Sequence, residues 1–438
     1  MNTTTTDKTI QVDTKIIKEK LGALKGGRFK EWLKMCAHCG YCADSCFYYQ
    51  AHNKDPKFMP AYKLISALGK LYQKKGEISR SELEEIAEIA YTKCTACRRC
   101  SMYCPFGIDI ATMMAATRMI CNTQGLAPEG LKTAIKNYYE TGNQMGIEQD
   151  EFIKTCDWVA EEASEEMPGL QIPVDKQGAD LMYTLGAREV KFYPQDISEA
   201  ALILHETGES WTLPSMGWDD TNLALFAGDM KCAAHVVKLV YDAAERLGAK
   251  KIGVTECGHA YRALKFEGPY WLGLPGGKPP VPVCHAVELY ADYIKSGRIK
   301  IDPEKILQEP VTYHDACNIS RNGGLMEEAR YLMNMLSKDF RDMTPNREYN
   351  HCCGGGGGYI AMGTTYKKKR MEAGRVKAEQ IRETGAKYVV TSCHNCFDQI
   401  KDLSKEYNLG VEVIQFKSLV TRAMVRTRTS KSKDAHAA

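Results

Sequence analysis

Net charge is nearly absent from this chain: 58 Lys and Arg against 55 Asp and Glu leave +3 over 438 residues. That balance favours neither nucleic acid nor an anionic surface as a partner. Long apolar runs are missing too. None approaches the roughly 18 residues that cross a bilayer, and Met1 to Lys8 is polar and Thr-rich, without the apolar stretch of a secretory leader. The expectation is a cytoplasmic protein. No motif for flavin or nicotinamide appears, so any electrons the chain handles enter through a partner. A phosphate loop is absent as well: Gly354 to Gly358 lacks the Gly-Lys-Ser/Thr ending and follows two cysteines whose thiolate charge would repel phosphate. The basic end, Arg422 to Lys433, has no apolar partner and reads as a frayed, solvated tail.

Cysteine is what the chain has in plenty. The 18 cysteines fall at short spacings, and a chain of this length with 44% hydrophobic residues has room for about three domains with ample core. Disulfide staples are therefore not needed, and the clustering argues for metal in a reducing compartment. Five cysteines lie late: Cys317, then after 34 residues Cys352-Cys353-Gly354, then after 38 more Cys393-His394-Asn395-Cys396. Adjacent cysteines do not readily bridge each other, and the glycines that follow let the backbone approach a bulky object. That object is expected to be an iron–sulfur cluster. Val311 to Tyr313 and Lys387 to Ser392 are β-rich runs ending at His314 and Cys393, as in an α/β layer whose strand ends converge on one crevice.

Two further runs, Cys36-x-x-Cys39-x-x-Cys42-x-x-x-Cys46 and Cys94-x-x-Cys97-x-x-Cys100-x-x-x-Cys104-Pro105, match the bacterial ferredoxin pattern, in which three thiolates wrap one cluster and the fourth reaches across to the other. Carried over, the pattern puts one cubane on Cys36, Cys39, Cys42 and Cys104 and a second on Cys94, Cys97, Cys100 and Cys46. Structural zinc is the plainer alternative, but zinc usually takes two Cys-x-x-Cys pairs separated by a longer loop. Between the runs, Pro60 to Tyr72 and Ser81 to Tyr91 have helical spacing, with Ser81 and Glu84 expected as a capping box. This long helical insert resembles the α-helical ferredoxin module of succinate dehydrogenase iron–sulfur subunits.

Ile16 to Leu24 reads as a helix ended by Gly26-Gly27, and Ala111 to Tyr139 stays helical. A polar, then acidic and Pro/Gly-punctuated linker follows, with Cys156 and Trp158 as packing residues. Beyond it lies an internal repeat. Val254-Thr255-Glu256-Cys257 echoes Val390-Thr391-Ser392-Cys393, and Ser215-Met216-Gly217 stands where Cys352-Cys353-Gly354 stands later. In the first copy Ile197 is expected opposite Cys317 and Ala260 opposite Cys396, so Cys257 alone survives of five. It is expected to border the cluster across the pseudo-twofold, because crevices between related α/β units hold ligands. Cys121, Cys232 and Cys284 read as core. His314, His351 and His394 each adjoin an expected ligand and are candidates to donate to sulfur; His314 leads, since Asp315 beside it would raise its pKa.

The late spacing resembles the CCG domain of heterodisulfide reductases, and the whole layout is similar to the HdrD and DsrK family of heterodisulfide reductase-type subunits. Pro214 to Asn222 and Glu256-Cys257-Gly258-His259 carry the likeness to DsrK. The resemblance implies an α plus α/β fold: an N-terminal extension (1–28), a helical two-cluster domain (29–140), a linker (141–175), a degenerate CCG-like domain (176–305), an intact CCG domain (306–425) and a disordered tail (426–438). It also implies a non-cubane [4Fe-4S] cluster on all five late thiolates, at which a disulfide-type substrate is reduced. Its implied partners are a membrane cytochrome b-type subunit that handles quinone, other complex subunits, and the small sulfur carrier DsrC or a heterodisulfide, met on the inner face of the cytoplasmic membrane. A competing reading is a conduit without chemistry of its own, similar to the iron–sulfur partner of anaerobic glycerol-3-phosphate dehydrogenase.

Overall fold

The computed structural model describes residues 11–427. The Met1 to Lys8 segment, and the expected tail from 428 onward, lie outside the described residues. The first third is built of short helices around the ferredoxin-like runs. Asp13 opens the helix Thr14–Ala23 by accepting from the Ile16 amide. The capping box of the helix Arg80–Thr92 is formed by Ser79 and Glu82 rather than Ser81 and Glu84. Ser79 has the extended backbone a cap needs, whereas Glu84 lies inside the helix and pairs with Arg80 at 2.7 Å. The helices Ile110–Thr123 and Glu129–Thr141 follow, broken between them by the turn at Gly125.

Within the stretch expected as a linker runs an 18-residue helix, Gln149–Glu166. Phe152, Cys156, Val159 and Ala163 recur at helical spacing and are buried; Phe152 stacks on Trp218 with centroids 4.6 Å apart. The acidic residues occupy the other face, so composition concealed the stripe. Trp158 is on that outer face, 48% exposed, and is not a packing residue.

Two small parallel sheets make up the rest, completing the α plus α/β architecture. The first has the order β2-β1-β3-β4, from β1 (Leu181–Tyr183), β2 (Trp211–Thr212), β3 (Lys251–Val254) and β4 (Val283–His285). The second has the order β5-β6-β7, from β5 (Val311–His314), β6 (Tyr388–Thr391) and β7 (Glu412–Ile414). The repeat is visible in the backbone: β1-β3-β4 and β5-β6-β7 share one order, and Cys257 and Cys393 each cap the helix after the middle strand, Gly258–Arg262 and His394–Glu406. The pairings Met182↔Ile252 and Val311↔Tyr388 set the two copies in register. Cys317, six residues after Val311, then answers to Arg188, six after Met182. Ile197, expected at that place, instead lies in the helix Gln195–Thr207 within the core.

The halves interlock at their carboxyl strand ends. Glu256 from the first half accepts from the Phe416 and Lys417 amides at 3.1 and 2.8 Å, capping the helix Phe416–Ala423 of the second. Its carbonyl accepts from the His394 amide at 2.9 Å. Burial pushes the Glu256 carboxyl up to about 7. Among the described residues, no helix is long and apolar enough to cross a membrane.

Candidate iron–sulfur centres

The ferredoxin-like cysteines line two separate cavities. One, of about 340 Å³, is bounded by Cys36, Cys39, Cys42 and Cys104. The other, of about 380 Å³, is bounded by Cys46, Cys94, Cys97 and Cys100. The fourth cysteine of each run thus faces the other run's cavity, which a crossed pair of cubanes requires and two local zinc knuckles do not.

The five late cysteines gather at the strand ends of the second sheet. Cys393 has an extended backbone at the mouth of the helix His394–Glu406. Its thiol is pushed down to about 6, first by the Cys396 thiol and then by the Gly258, Cys396 and Asn395 amides, outweighing burial. Cys353 and Cys396 have their sulfurs 3.3 Å apart. Cys352 lies in hydrogen-bonding reach of both Cys317 and Cys353. All of the cysteines are free thiols. The glycine run has its tightest approaches to polypeptide: a Cβ on Gly357, which has φ +64°, would stand 2.6 Å from the Thr95 carbonyl oxygen, and one on Gly355 would stand 2.7 Å from Gln399. This contact presses the late cysteines against the ferredoxin-like loop. Thr95 Oγ1 is 3.5 Å from Cys352 Sγ, and the Cys97 thiol is within hydrogen-bonding reach of Cys352.

His314, at the end of β5, is fully buried, and one of its ring nitrogens lies within 4.8 Å of the Cys353 and Cys396 sulfurs. The expected effect of Asp315 does not occur. Its carboxylate is taken up by a bidentate contact with Arg330 and by the Arg347 amide at 2.7 Å. Burial, reinforced by Lys377, holds the His314 imidazole well below its ordinary pKa, hence neutral. Lys377 donates to Asn350 Oδ1 at 2.7 Å, which turns Asn350 Nδ2 towards His314 Nδ1 at 3.3 Å. Nδ1 therefore accepts, and the ring proton sits on Nε2, a buried atom with no partner of its own. His351 is likewise pushed down, to about 2, mainly by burial. For His394 burial is outweighed by Glu189 and Asp196, and its pKa is raised. Lys417, wholly buried, closes that network at 2.7 Å from Glu189 and 3.3 Å from Asp196.

A cleft of about 870 Å³ opens onto the late cysteines from between the halves, lined by Arg188, Phe192, Met145, Cys257, His394 and Asn395 among others. Cys257 is buried on its wall, and Asn395 Nδ2 is 3.1 Å from His259 Nδ1. Sequence reading missed Arg188, Glu189, Lys377 and Lys417. Only Arg188 carries a signal that was available, since correct strand register sets it opposite Cys317.

The donor set fits iron–sulfur clusters on a second count. Arg118 is 2% exposed and donates only to backbone carbonyls, among them Cys94 at 2.6 Å and Gly357 at 2.8 Å. A buried guanidinium without a carboxylate calls for other negative charge nearby, which thiolate-ligated clusters supply.

Residues 311–401 match the CCG cysteine-rich domain family, and residues 32–108 match the 4Fe-4S dicluster domain family. An Hdr-like menaquinol oxidoreductase iron–sulfur subunit 2 of Archaeoglobus fulgidus is 27% identical over 456 residues, covering 92% of this chain and 81% of the relative. The HdrD component of the dihydromethanophenazine:CoB–CoM heterodisulfide reductase of Methanosarcina barkeri is 26% identical over 407 residues, covering 90% and 94%. An EtfAB:quinone oxidoreductase of Syntrophomonas wolfei is 25% identical over 410 residues, covering 84% of this chain and 55% of the relative. With both cysteine-rich segments matched and the similarity running through the α/β halves that join them, the chain belongs to the HdrD-like family of heterodisulfide reductase-type iron–sulfur proteins.

Proposed function

We propose that this chain is the catalytic iron–sulfur subunit of a membrane-associated complex, moving electrons between a quinone-linked partner and a disulfide or trisulfide substrate. The observation that carries the reading is the gathering of five free thiols, Cys317, Cys352, Cys353, Cys393 and Cys396, against Cys97 of the ferredoxin-like half. When bound, two cubanes on the ferredoxin-like cysteines supply single-electron steps, and a non-cubane [4Fe-4S] cluster on the five late thiolates supplies an iron open to external sulfur. The chain's own residues do the rest. The cleft past Arg188 and Phe192 admits the substrate to Cys257 and Asn395, and its buried walls keep water from the reacting sulfur. His314 holds its Nε2 proton towards the Cys353 and Cys396 side, where it can steady developing thiolate charge. A disulfide takes two electrons and the ferredoxin-like half delivers one at a time, so the site has to hold a half-reduced sulfur between deliveries.

The domains we assign are 29–140, 176–305 and 306–425. A cytochrome b-type membrane subunit is the proposed quinone-side partner, and a small sulfur carrier such as DsrC, or a heterodisulfide, the proposed substrate. The protein would then sit peripherally on the inner face of the membrane. Anaerobically purified protein should show an oxidised paramagnetic signal that changes on adding thiol, and Cys353→Ser should abolish it while the ferredoxin-type signals remain. A signal indifferent to thiol would refute catalysis and leave a conduit. The similarity to a relative named as a quinone oxidoreductase for EtfAB favours that second reading. A colourless, iron-free protein would remove both.

A further inference from the structure

The two ferredoxin-like cavities differ in charge. The one bounded by Cys36, Cys39, Cys42 and Cys104 is lined by Ala37, His38, Ala61, Pro105 and other residues that include no Lys, Arg, Asp or Glu. The one bounded by Cys46, Cys94, Cys97 and Cys100 is lined by Lys63, Arg98 and Arg99 and by no carboxylate. Arg98 is paired with Asp109 at 2.8 Å, but the other cations near this cavity are not paired. Lys63 is 2% exposed, with Nζ 3.6 Å from Cys46 Sγ. Arg99, also buried, donates to the Tyr349 carbonyl at 2.7 Å, to the Ser45 carbonyl and to the Tyr103 hydroxyl. Arg118 donates to the Cys94 carbonyl, and Arg321 to the Cys97 carbonyl at 2.8 Å. Among the described residues none of these four has a carboxylate partner.

We propose that Lys63, Arg99, Arg118 and Arg321 make the centre on Cys46, Cys94, Cys97 and Cys100 the electron-holding member of the ferredoxin-like pair. An added electron makes a thiolate-ligated cluster more negative, and fixed cations in a poorly screened interior stabilise that extra charge. Solvent at the exposed Cys39 works in the same sense for the first centre. Full charges at contact distance in a drier site outweigh it. In the step concerned, one electron leaves the centre on Cys36, Cys39, Cys42 and Cys104, which is oxidised, and reduces the centre on Cys46, Cys94, Cys97 and Cys100; no proton or atom moves. The favoured centre is the one whose Cys97 adjoins Cys352. Arg118 and Arg321 also tie it to the late loop, through the Gly357 and Asn350 carbonyls. Charge thus collects where the substrate site can draw on it.

This inference rests on the reading that the eight ferredoxin-like cysteines hold two clusters, and the test separates the two. The full-length protein is titrated anaerobically and followed by paramagnetic resonance, with Cys39→Ser used to assign the first centre's signal. The centre whose signal survives Cys39→Ser should be the first to be reduced. Lys63→Gln, and independently Arg99→Gln, should lower its equilibrium constant for reduction by at least about tenfold, which is about 59 mV for one electron. The Cys39-dependent signal should stay in place. Clusters present with both potentials unmoved, or a shift confined to the Cys39-dependent signal, overturn the proposal alone. Protein with no iron in the ferredoxin-like half overturns it together with the reading beneath it.

Discussion

Lys417→Met is the sharpest test of how the two α/β halves are held together. Lys417 has no exposed surface and sits 2.7 Å from Glu189 and 3.3 Å from Asp196, with His394 at 3.1 Å from the same Glu189 oxygen. At an effective dielectric near 20, each of its two contacts amounts to about 5–6 kcal/mol of gross attraction, most of it cancelled by the desolvation of the ions. Removing the cation alone leaves the fully buried Glu189 without its main compensation, and such half-removed pairs lose about 3–5 kcal/mol. The pH dependence follows from Glu189. Although burial opposes it, Lys417 and His394 hold that carboxyl well below the usual range. Its stabilising contribution in the native protein is therefore complete above the ordinary carboxylate pKa and is lost only in strong acid. Without Lys417, burial dominates and raises the Glu189 pKa, so the variant gains stability as pH falls and its deficit is larger at pH 8 than at pH 5.5. The assay is anaerobic urea unfolding of metal-loaded protein at both pH values. Glu189→Gln in the Lys417→Met background should recover part of the loss. A double variant no more stable than the single one, or a deficit that grows on acidification, would refute the argument.

Other outcomes follow from the site. Cys257→Ser should lower turnover severalfold with iron content unchanged, because Cys257 lines the cleft beside the late cysteines; wild-type turnover would dispose of a role for it. His314→Gln should slow turnover without moving the pH optimum between about pH 6 and 8, since burial keeps the imidazole neutral throughout that range. A lost limb of the pH–rate curve would show instead that His314 titrates. Gly357→Ala puts a Cβ 2.6 Å from the Thr95 carbonyl oxygen at a left-handed φ, a cost of about 1–3 kcal/mol. It should slow electron delivery to the late cysteines while both ferredoxin-type signals persist, as followed by rapid-freeze spectroscopy; unchanged delivery would count against Gly357 as the point of contact.

What the linear order of residues determined is whatever chemistry is local. Three thiols at successive threes, with a fourth four residues on, can wrap only a compact object, so both ferredoxin-like runs were legible, as were the β-rich segments that became β5 and β6. The repeat was legible for the same reason: Cys257 and Cys393 end matching strands and begin matching helices. Tertiary structure decided the electrostatics. Asp315 looked like the partner of the adjacent His314, yet Arg330, fifteen residues away, takes its charge. Glu189 and Lys417 are separated by 228 residues and meet only because two sheets bring their strand ends together. The cations about Cys46, Cys94, Cys97 and Cys100 come from separate helices and loops and share no spacing. A coordinating turn is drawn by one short segment, whereas the field a buried charge feels is summed over neighbours that only the folded chain assembles.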